Sequence, residues 1–410
     1  MFTSEPIIIY IGYSAVDYMM FFIVVIAVLS LMYGYIGWRM IVPANFSTPV
    51  NVLLWGCLVL ALILPFVLVF LRFRGVDGGF LDIIAWIAYL SFGFLTLLFA
   101  FLVVKDVIYL MALGGQKIAG IFNSGGSDQV FDPSRRRLLT NYLNLGLMAT
   151  TGIITGYGLY GALRKPAIVN VTVPIKNLPP EFDGFRIVQI TDIHVSYTIK
   201  RPFVEEVVNT VNELKPDLIA LTGDLVDGSV EQLRNDVAPL SGLKAPFGSF
   251  FITGNHEYYS GAEQWIAETK RLGFDVLMNE HRILARGKGQ MVLAGVTDYT
   301  AGQHIKAHAT DPHKAASGTP KNIPKLLLAH QPKSIFEAAR AGFDYVISGH
   351  THGGQYFPYH FLTALDQPYI SGLHRHGNSQ IYVSRGTGFW GPQLRIGARS
   401  EITIHTLKMA

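Results

Sequence analysis

Five short segments in the second part of the chain carry side chains that bind metal ions. They are Asp192-Ile-His194, Gly223-Asp224-Leu-Val-Asp227, Gly254-Asn255-His256-Glu257, Ala329-His330-Gln331 and Gly349-His350-Thr-His352-Gly-Gly. Imidazole and carboxylate groups together with an amide oxygen suit divalent transition metals better than Ca²⁺, which prefers oxygen ligands alone. Two such ions about 3.5–4 Å apart lower the pKa of a bridging water and clamp the oxygens of an in-line phosphoryl displacement. The segments therefore predict a two-metal hydrolytic site.

Each segment taken alone has a simpler explanation. Asp-x-His is common by chance, Gly-Asp-x-x-Asp is usually a turn, and Gly-Asn-His-Glu suits a turn with a solvated histidine. Gly-His-Thr-His-Gly-Gly is more specific, because two alternating histidines between glycines rarely serve packing. The ordered set of five has no purely structural explanation, so metal binding is the interpretation it favours.

The elements before these segments show how they would be positioned. Most follow a strand-like stretch, namely FRIVQIT, DLIALT, SFFIT, KLLLA and YVIS. An α/β sheet gathers its active-site residues at the carboxyl ends of its strands. Helical stretches at 202–214, 262–272 and 334–341 alternate with the strands, which predicts an α/β domain over residues 166–410.

The first part of the chain has a different composition. The whole chain has 410 residues, a mean hydropathy of +0.33 and 15% charged residues, which is too apolar for an ordinary soluble protein. Spanning a bilayer takes about 20 mostly apolar residues. Uncharged runs near 18–38, 50–71 and 83–104 meet that length, and a weaker run near 142–163 is richer in Gly and Thr. Residues 1–165 are therefore predicted to form a multi-pass transmembrane region.

Two further predictions concern a short segment of the first part of the chain and the partners of the second part. Residues 107–122 are short and carry Lys117, which predicts a separate interfacial or re-entrant helix. Residues 166–410 hold 23 Lys and Arg against 22 Asp and Glu, so they predict no nucleic-acid partner.

Basic residues in the short loops predict the orientation of the spans. The loop between the third and fourth runs holds Lys105, Lys117 and Arg135–Arg137, whereas the residues before Tyr18 hold none. Because basic loops stay in the cytoplasm, four spans would place the second domain on the exoplasmic side, periplasmic or extracellular. Arg72 and Arg74, with Arg164 and Lys165, count against this orientation.

The ordered segments resemble the calcineurin-like metallophosphoesterase family. Its pattern runs D-x-H, G-D-x-x-D, G-N-H-[DE], H and G-H-x-H, and the match covers roughly residues 184–406. His330-Gln-Pro, Gly349–Gln355 and the stretch YVSRGTGFWG from Tyr382 resemble the bacterial membrane-associated branch, which includes phosphodiesterases and enzymes acting on diphosphate-linked lipid precursors. The resemblance implies a four-layer α/β fold, a β-sandwich flanked by helices, preceded here by an all-α transmembrane region.

The resemblance also implies roles for individual residues. Asp192, His194 and His352 would bind the first ion and Asp224 would bridge to the second, which Asn255, His330 and His350 would complete. His256 would contact the phosphoryl oxygens or protonate the leaving group, and Asp227 would orient it. Two divalent ions are expected, with Mn, Fe and Zn as the alternatives.

Substrate contacts are less determined by the sequence. Arg385 could fork onto two phosphate oxygens, with a structural ion pair as the alternative, and His374 lies on the same late segment. Tyr258 and Tyr259 could stack on a substrate ring or simply pack together. His304, His308 and His313 lie in the stretch AGQHIKAHATDPHKAASGTP, whose small residues predict a mobile surface loop near the cleft.

These features predict a membrane-anchored phosphohydrolase. It would cleave a phosphodiester or diphosphate bond, in a membrane lipid or a lipid-linked phosphate, by attack of a metal-bridging hydroxide. The alternatives are a phosphomonoesterase acting on a soluble substrate and a non-catalytic membrane sensor or transporter. Transport is disfavoured because ion pathways usually need a charged residue in the middle of a span. The charges expected near the predicted spans, Asp17 and Asp82, lie at their ends.

Overall fold

The computed structural model describes residues 15–74, 76, 78–122 and 133–410. The chain divides into two compact units. Met19–Tyr160 and Gly391–Leu394 belong to one unit, and Gly161–Trp390 and Arg395–Ala410 belong to the other.

Long helices make up the first unit, here called the helical unit. They are α1 (Ala15–Met40), α2 (Thr48–Phe73), α3 (Gly79–Phe122) and α4 (Pro133–Leu163). Three of them contain a stretch long and apolar enough to cross a membrane, namely Ile23–Met40, Thr48–Leu71 and Gly79–Ile118. The fourth predicted span lies in α4, which does not reach that hydropathy, so its crossing of the membrane stays a prediction.

A polar cluster interrupts the apolar surroundings of α3. Asp106 accepts hydrogen bonds from Tyr35 and Arg39. Lys105 donates to Asn144 Oδ1 at 3.0 Å, and Asn144 donates to the carbonyl of Arg39 at 2.8 Å. Because these groups serve one another, α3 passes through two charged residues without a break.

This continuity corrects two sequence-based expectations. Residues 107–122 do not form a separate helix, since they continue α3 to Phe122. Lys105 and Asp106 also place charges in the interior of a helix where the sequence predicted charges only at the ends of the spans. Partners on α1 and α4, distant in sequence, were not visible in the apolar run.

Two six-stranded mixed sheets form the centre of the second unit, here called the α/β domain. Their orders are β1-β12-β2-β3-β4-β5 and β10-β11-β9-β8-β7-β6. The strands are β1 (Ala167–Ile175), β2 (Arg186–Ile190), β3 (Leu218–Leu221), β4 (Ser249–Phe251), β5 (Asp275–Val276), β6 (Glu280–Arg286), β7 (Gly289–Gly295), β8 (Lys325–Leu328), β9 (Tyr345–Ser348), β10 (Gly372–His376), β11 (Ser379–Val383) and β12 (Glu401–Met409).

The α/β domain also contains α-helices, several of which pack on the outer faces of the sheets. They are α5 (Arg201–Glu213), α6 (Val230–Val237), α7 (Asn255–Ser260), α8 (Ala262–Arg271), α9 (Ala301–His304), α10 (Pro312–Ala316), α11 (Ile335–Arg340) and α12 (Tyr359–Asp366). Short 3₁₀ helices lie at Pro180–Phe182, Ala238–Gly242, Lys306–His308, Pro332–Ser334 and His352–Gly354. The helices predicted at 202–214, 262–272 and 334–341 correspond to α5, α8 and α11.

The apolar residues of β3 show how the layers form. Leu218 and Ala220 belong to a cluster shared by the facing surfaces of the two sheets, whereas Ile219 and Leu221 pack against a cluster that includes Trp265 of α8. Alternate side chains of a strand point to opposite faces, so a fully apolar strand can be buried on both. A third cluster packs α10 and α11 on the second sheet. The predicted four-layer α/β sandwich is thus confirmed.

Parallel pairing brings the relevant strand ends together. β2, β3 and β4 run parallel in the first sheet, and β7, β8, β9 and β11 run parallel in the second. The carboxyl ends of β2, β3, β4, β8 and β9 lead directly into the five metal-ligand segments.

Candidate metal centre

The first group of candidate ligands contains Asp192, His194 and His352. One ligand atom from each lies within 4.8 Å of the others, and all three side chains are buried. His352 Nε2 is 3.5 Å from Asp192 Oδ1 and 3.0 Å from His194 Nε2. These groups come from β2 and β9, so this ligand group joins the two sheets.

The second group contains Asp224, His330 and His350, also within 4.8 Å of one another. Asp224 Oδ2 lies 3.0 Å from His330 Nε2, and His350 Nδ1 lies 3.2 Å from the same nitrogen. Asp224 Oδ2 is also 3.8 Å from His194 Nε2 in the first group. Asp224 therefore lies between the two groups, where a bridging ligand would have to be.

The side chain of Asn255 provides a separate indication of a bound cation. Its Oδ1 is buried and has no hydrogen-bond partner in the described part of the chain. A buried amide oxygen without a partner costs free energy of about 1–3 kcal/mol. A divalent ion would satisfy it, and nitrogen, carboxylate and amide ligands together fit a transition metal.

The charge state of the histidines is also compatible with metal binding. Burial and the positive charge of His330 lower the pKa of His350 to about 3. Burial and Arg395 hold the pKa of His352 well below its usual value. Both rings are therefore neutral at physiological pH, as metal ligands must be.

His330 shows the opposite shift for a related reason. Burial alone would lower its pKa, but the neighbouring carboxylates, Asp224 first among them, raise it well above 6.5. The negative charge that holds a proton on His330 also attracts a metal cation, which would displace that proton. Its Nδ1 lies 2.8 Å from the carbonyl of Thr222, which orients Nε2 towards Asp224.

His256 and Asp227 form a close pair beside the ligands. His256 Nδ1 is 2.5 Å from Asp227 Oδ1, and the same oxygen is 3.2 Å from His194 Nδ1. Burial opposes a charge on His256, but Asp224 and Asp227 raise its pKa to about 9. His256 Nε2 lies 4.0 Å from Asp224 Oδ2, so the ring nitrogen not held by Asp227 is on the side of the metal ligands.

The backbone at the centre adopts an unusual conformation. Asp192, His194 and Asp224 have φ values of 54°, 54° and 50°, and His350 and His352 have values of 73° and 51°. Residues other than glycine rarely adopt a positive φ, and those that do cluster at functional sites. Five of the seven candidate ligands are thus held in a conformation that the surrounding structure must enforce.

Two glycines allow the close approach of the ligand loops. A Cβ at Gly254 would collide with the Asp224 carboxylate, and one at Gly349 would collide with Asp192 and Thr191. The glycines of these two segments therefore serve the packing of the centre.

Two residues to which the sequence assigned no role support this arrangement. Glu257 accepts hydrogen bonds from the backbone N–H groups of Asp224, Leu225 and Gly254 at 2.6–3.0 Å. It thereby fixes the loop that carries Asp224, and burial raises the pKa of Glu257 to about 7. The signal in the sequence was the acidic residue of the Gly-Asn-His-Glu segment.

Arg395 is the second such residue. It is buried, and its guanidinium donates to His352 Nδ1 at 2.9 Å and to the carbonyl of His352 at 2.8 Å. It also donates to the carbonyls of Arg385 and Gly388. These bonds hold the ring and the loop of His352 in place. No local motif marks Arg395, so sequence reasoning could not have found it.

The predicted substrate residues lie in different surroundings. Arg385 follows β11 beside Gly353, and its Nε lies 3.7 Å from Glu401 Oε2, so it is partly engaged in the ion pair considered as its alternative. His374 lies on β10, where its Nε2 is 2.8 Å from the carbonyl of Ser371 and its ring stacks on Tyr369. Its described contacts are with neighbours in sequence. Substrate contact of both residues stays a prediction.

Tyr258 and Tyr259 differ in their exposure. Tyr258 is buried, with its hydroxyl 3.2 Å from His308 Nδ1 and its ring stacked on His304. Tyr259 is exposed and meets the His256 ring edge-on at a centroid distance of 5.2 Å. Of the two, Tyr259 has the more accessible ring beside His256.

The stretch around His304, His308 and His313 contains α9, α10 and a 3₁₀ helix. Pro312 and Ala315 of α10 are buried. The prediction of a surface loop was therefore wrong in its local structure, because buried apolar residues hold the short helices in place.

Comparison with known proteins assigns the chain to a family. Residues 185–354 match the calcineurin-like phosphoesterase family. An uncharacterized metallophosphoesterase of Helicobacter pylori strain J99 is 39% identical over 277 residues, which is 66% of this chain and 72% of that protein. The chain belongs to the calcineurin-like metallophosphoesterases. This confirms the resemblance predicted from the five segments.

Two further similarities cover part of each protein. A Danio rerio protein described as a transmembrane protein with metallophosphoesterase domain is 38% identical over 268 residues, 63% of this chain and 61% of that protein. The chain thus spans about three fifths of the length of this vertebrate relative. A solved structure of a putative 5'-nucleotidase from Staphylococcus aureus has a TM-score of 0.36 and 11% identity, covering 55% of this chain and 54% of that one.

Proposed function

We propose that this metallophosphoesterase holds two divalent metal ions and hydrolyses a phosphodiester or diphosphate bond in a lipid or lipid-linked substrate. One observation carries the two-metal part of the proposal. Asp224 lies between two groups of ligands, each of which supplies at least two further donors. When bound, such ions supply Lewis acidity and generate a nucleophile from water at neutral pH.

The residues of the chain contribute positioning and a proton. Asp227 accepts a hydrogen bond from His256 Nδ1, which leaves Nε2 as the nitrogen that carries a proton towards the substrate. A protonated imidazole next to the scissile bond can donate to the leaving oxygen. The raised pKa of His256 favours this protonated form.

The lipid part of the proposal is supported by the helical unit. Three of its helices are long and apolar enough to cross a bilayer. α4 ends at Leu163 and β1 begins at Ala167, so a short connection joins the helices to the α/β domain. A domain attached in this way encounters substrates of the membrane more often than a freely diffusing one does.

The substrate class can be tested with the full chain purified in detergent and supplied with Mn²⁺. We expect turnover of bis-p-nitrophenyl phosphate to exceed that of p-nitrophenyl phosphate, and metal analysis to give two ions per chain. Preference for the monoester would favour the alternative, a phosphomonoesterase. Absence of turnover of both compounds by the metal-loaded protein would contradict a hydrolase.

The lipid substrate needs a separate measurement. The same protein reconstituted in vesicles should release phosphate-containing products from a diphosphate-linked lipid or a phospholipid of the vesicle. Asp192→Asn serves as the matched inactive control, since it removes one candidate ligand. Turnover of soluble diesters without turnover of any vesicle lipid would contradict the lipid part alone.

We also infer that the α/β domain faces the exoplasmic side, because the basic residues between the third and fourth runs favour a cytoplasmic loop. Labelling of single cysteines in intact cells with a membrane-impermeant maleimide tests this orientation. Ile283→Cys, at an exposed position of β6, should react without cell lysis. Reaction only after lysis would place the domain in the cytoplasm.

A further inference from the structure

α12 (Tyr359–Asp366) presents an apolar surface to solvent. None of its residues is buried, although its sequence, YHFLTALD, is mostly apolar. Phe361, Leu362 and Leu365 are 56%, 61% and 86% exposed. Large contiguous apolar surfaces are uncommon on soluble proteins and usually mark a contact with a partner, a ligand or a membrane.

The C-terminal end of α12 is anchored to the domain. Lys333 forms an ion pair with Asp366 at 2.5 Å, and Gln367 bonds to the backbone N–H of Lys333 and to Gln331 at 3.2 Å. Gln331 follows the candidate ligand His330 directly. The apolar surface is therefore held in a fixed relation to the metal centre.

Aromatic rings connect the start of α12 with His256. Tyr359 packs against Trp390 at a centroid distance of 6.4 Å, and Trp390 meets the His256 ring at 5.6 Å. At the other side, Phe357 contacts Phe361 at 6.0 Å. The apolar surface of α12 thus continues through Tyr359 and Trp390 to the edge of the candidate active site.

We propose that the Phe361–Leu362–Leu365 face of α12 docks into the surface of the lipid bilayer. This inference rests on the proposed function, because docking would serve the turnover of a lipid substrate by holding the mouth of the metal centre at the lipid surface. Composition identifies the bilayer as the occupant. Phe and Leu insert at the boundary between headgroups and acyl chains, while Tyr and Trp, here Tyr359 and Trp390, favour the same interface.

The presence on the same chain of helices long and apolar enough to cross a membrane supports this occupant over a soluble partner. A short helix that buries three side chains binds a membrane weakly by itself, because stable anchoring needs more apolar area. A chain that carries three helices able to cross the bilayer supplies that anchoring independently. The face then needs to orient the domain only, for which three side chains suffice.

The test uses the full chain in vesicles of phosphatidylcholine and phosphatidylglycerol, with Cys57, the free cysteine of the described residues, replaced by serine. A bimane label on Leu365→Cys reports contact with lipids that carry a nitroxide on the acyl chain. A label on Ile283→Cys is the matched control, because Ile283 is also an exposed apolar residue and lies on β6, at the opposite edge of the second sheet from β10. We expect about threefold stronger quenching at position 365 than at position 283.

A second variant shows whether the face itself is responsible. Adding Phe361→Ser and Leu362→Ser to the labelled Leu365→Cys chain should reduce quenching to the level of the control. Equal quenching at positions 365 and 283, or unchanged quenching in the serine variant, would overturn the inference, and so would a face covered by a second copy of the chain. Lipid turnover is measured separately, so a failure of the lipid substrate and a failure of docking give different results.

Discussion

The polar clusters of the helical unit and of the α/β domain look alike in composition and differ in their pairing. In the helical unit, the carboxylate of Asp106 faces Arg39 and Tyr35, and Lys105 faces the amide of Asn144. In the metal centre, ring nitrogens face one another and Asn255 Oδ1 has no partner among the described residues. Buried polar groups must be satisfied. In the first cluster oppositely charged groups satisfy one another, with Arg39 Nε as the exception, whereas the second cluster presents ligand atoms that a cation could satisfy.

The difference separates a structural role from a chemical one. A polar cluster whose members complement each other stabilises helix packing. In the metal centre, ring nitrogens face one another, and five of the residues that carry ligand atoms have positive φ values that the surrounding structure must enforce. Both clusters combine Asp with basic or imidazole groups. Their composition alone therefore does not distinguish the structural cluster from the metal centre.

The largest expected effect comes from Asp224→Asn. We expect kcat/KM for bis-p-nitrophenyl phosphate to fall about 10³-fold, because the Asp224 carboxylate lies between the two ligand groups and is proposed to serve both ions. Metal content, measured by inductively coupled plasma mass spectrometry, should fall in parallel. Asp275→Asn, which removes a surface ion pair with Arg282, is the control and should change activity less than about twofold. Retained metal and activity in Asp224→Asn would remove the contrast between the two clusters.

A smaller loss is expected for His256→Gln. We expect kcat to fall about 10²-fold with the metal content unchanged, because the proposed role of His256 is to handle a proton, although its ring also lies within reach of His194 and Asp227 in a possible ligand group. Asp227→Asn should cost about tenfold, since it orients His256, and the double variant should lose little more than His256→Gln alone. Loss of metal in His256→Gln would instead make this histidine a ligand.

His405 is a buried histidine outside the candidate metal centre, and its hydrogen-bond partners are uncharged. It bonds to the hydroxyl of Tyr345 at 2.7 Å and to Gln189 Oε1 at 3.1 Å, and burial lowers its pKa to about 3. The unfolded chain binds the proton near pH 6.5, before the folded chain does, so the stabilising contribution is present above pH 6.5 and is lost as the pH falls towards 3.

We therefore expect the free energy of unfolding of the natural chain to fall relative to that of His405→Gln as the pH is lowered. The difference between the two chains should change by about 1.4 kcal/mol per pH unit between pH 6 and pH 4. Denaturant unfolding of both chains in the same detergent measures it. Parallel pH dependences would show that His405 is not held neutral.

The smallest effect is expected for Asp106→Asn in the helical unit. We expect a loss of about 1 kcal/mol of stability, seen as a lower melting temperature in detergent, because interhelical polar contacts contribute about that amount. Turnover of soluble diesters should be unchanged. Lost turnover at an unchanged melting temperature would give this cluster a role in function, and the two clusters would then no longer differ as a structural and a chemical one.

Much of the α/β domain was predictable because its signals are local. The apolar stretches ending in the five segments became β2, β3, β4, β8 and β9, as their period and length indicated. The paired histidines His350 and His352 between glycines indicated a ligand loop for a similar reason. Substrate contact of Arg385 and His374 stays a prediction, because the structure places Arg385 near Glu401 and His374 against Ser371 and Tyr369.

Errors arose where a distant partner changed the local preference. The third predicted span ended near residue 104 and residues 107–122 were predicted to form a separate helix, yet the contacts of Lys105 and Asp106 with Tyr35, Arg39 and Asn144 allow α3 to continue. The stretch around His304 suggested a loop, yet the burial of Pro312 and Ala315 produces short helices. In both cases tertiary contacts outweigh a weak local signal.

By itself, the sequence determined the types of ligand, their order along strand ends and the presence of three apolar helices, because spacing and hydropathy are properties of neighbouring residues. The tertiary structure alone decided that Asp224 lies between the two ligand groups and that Arg395 reaches His352. It also decided that Tyr259 rather than Tyr258 is exposed beside His256. These are distances between residues far apart in the chain or choices between adjacent ones, and the packing of the two sheets sets them.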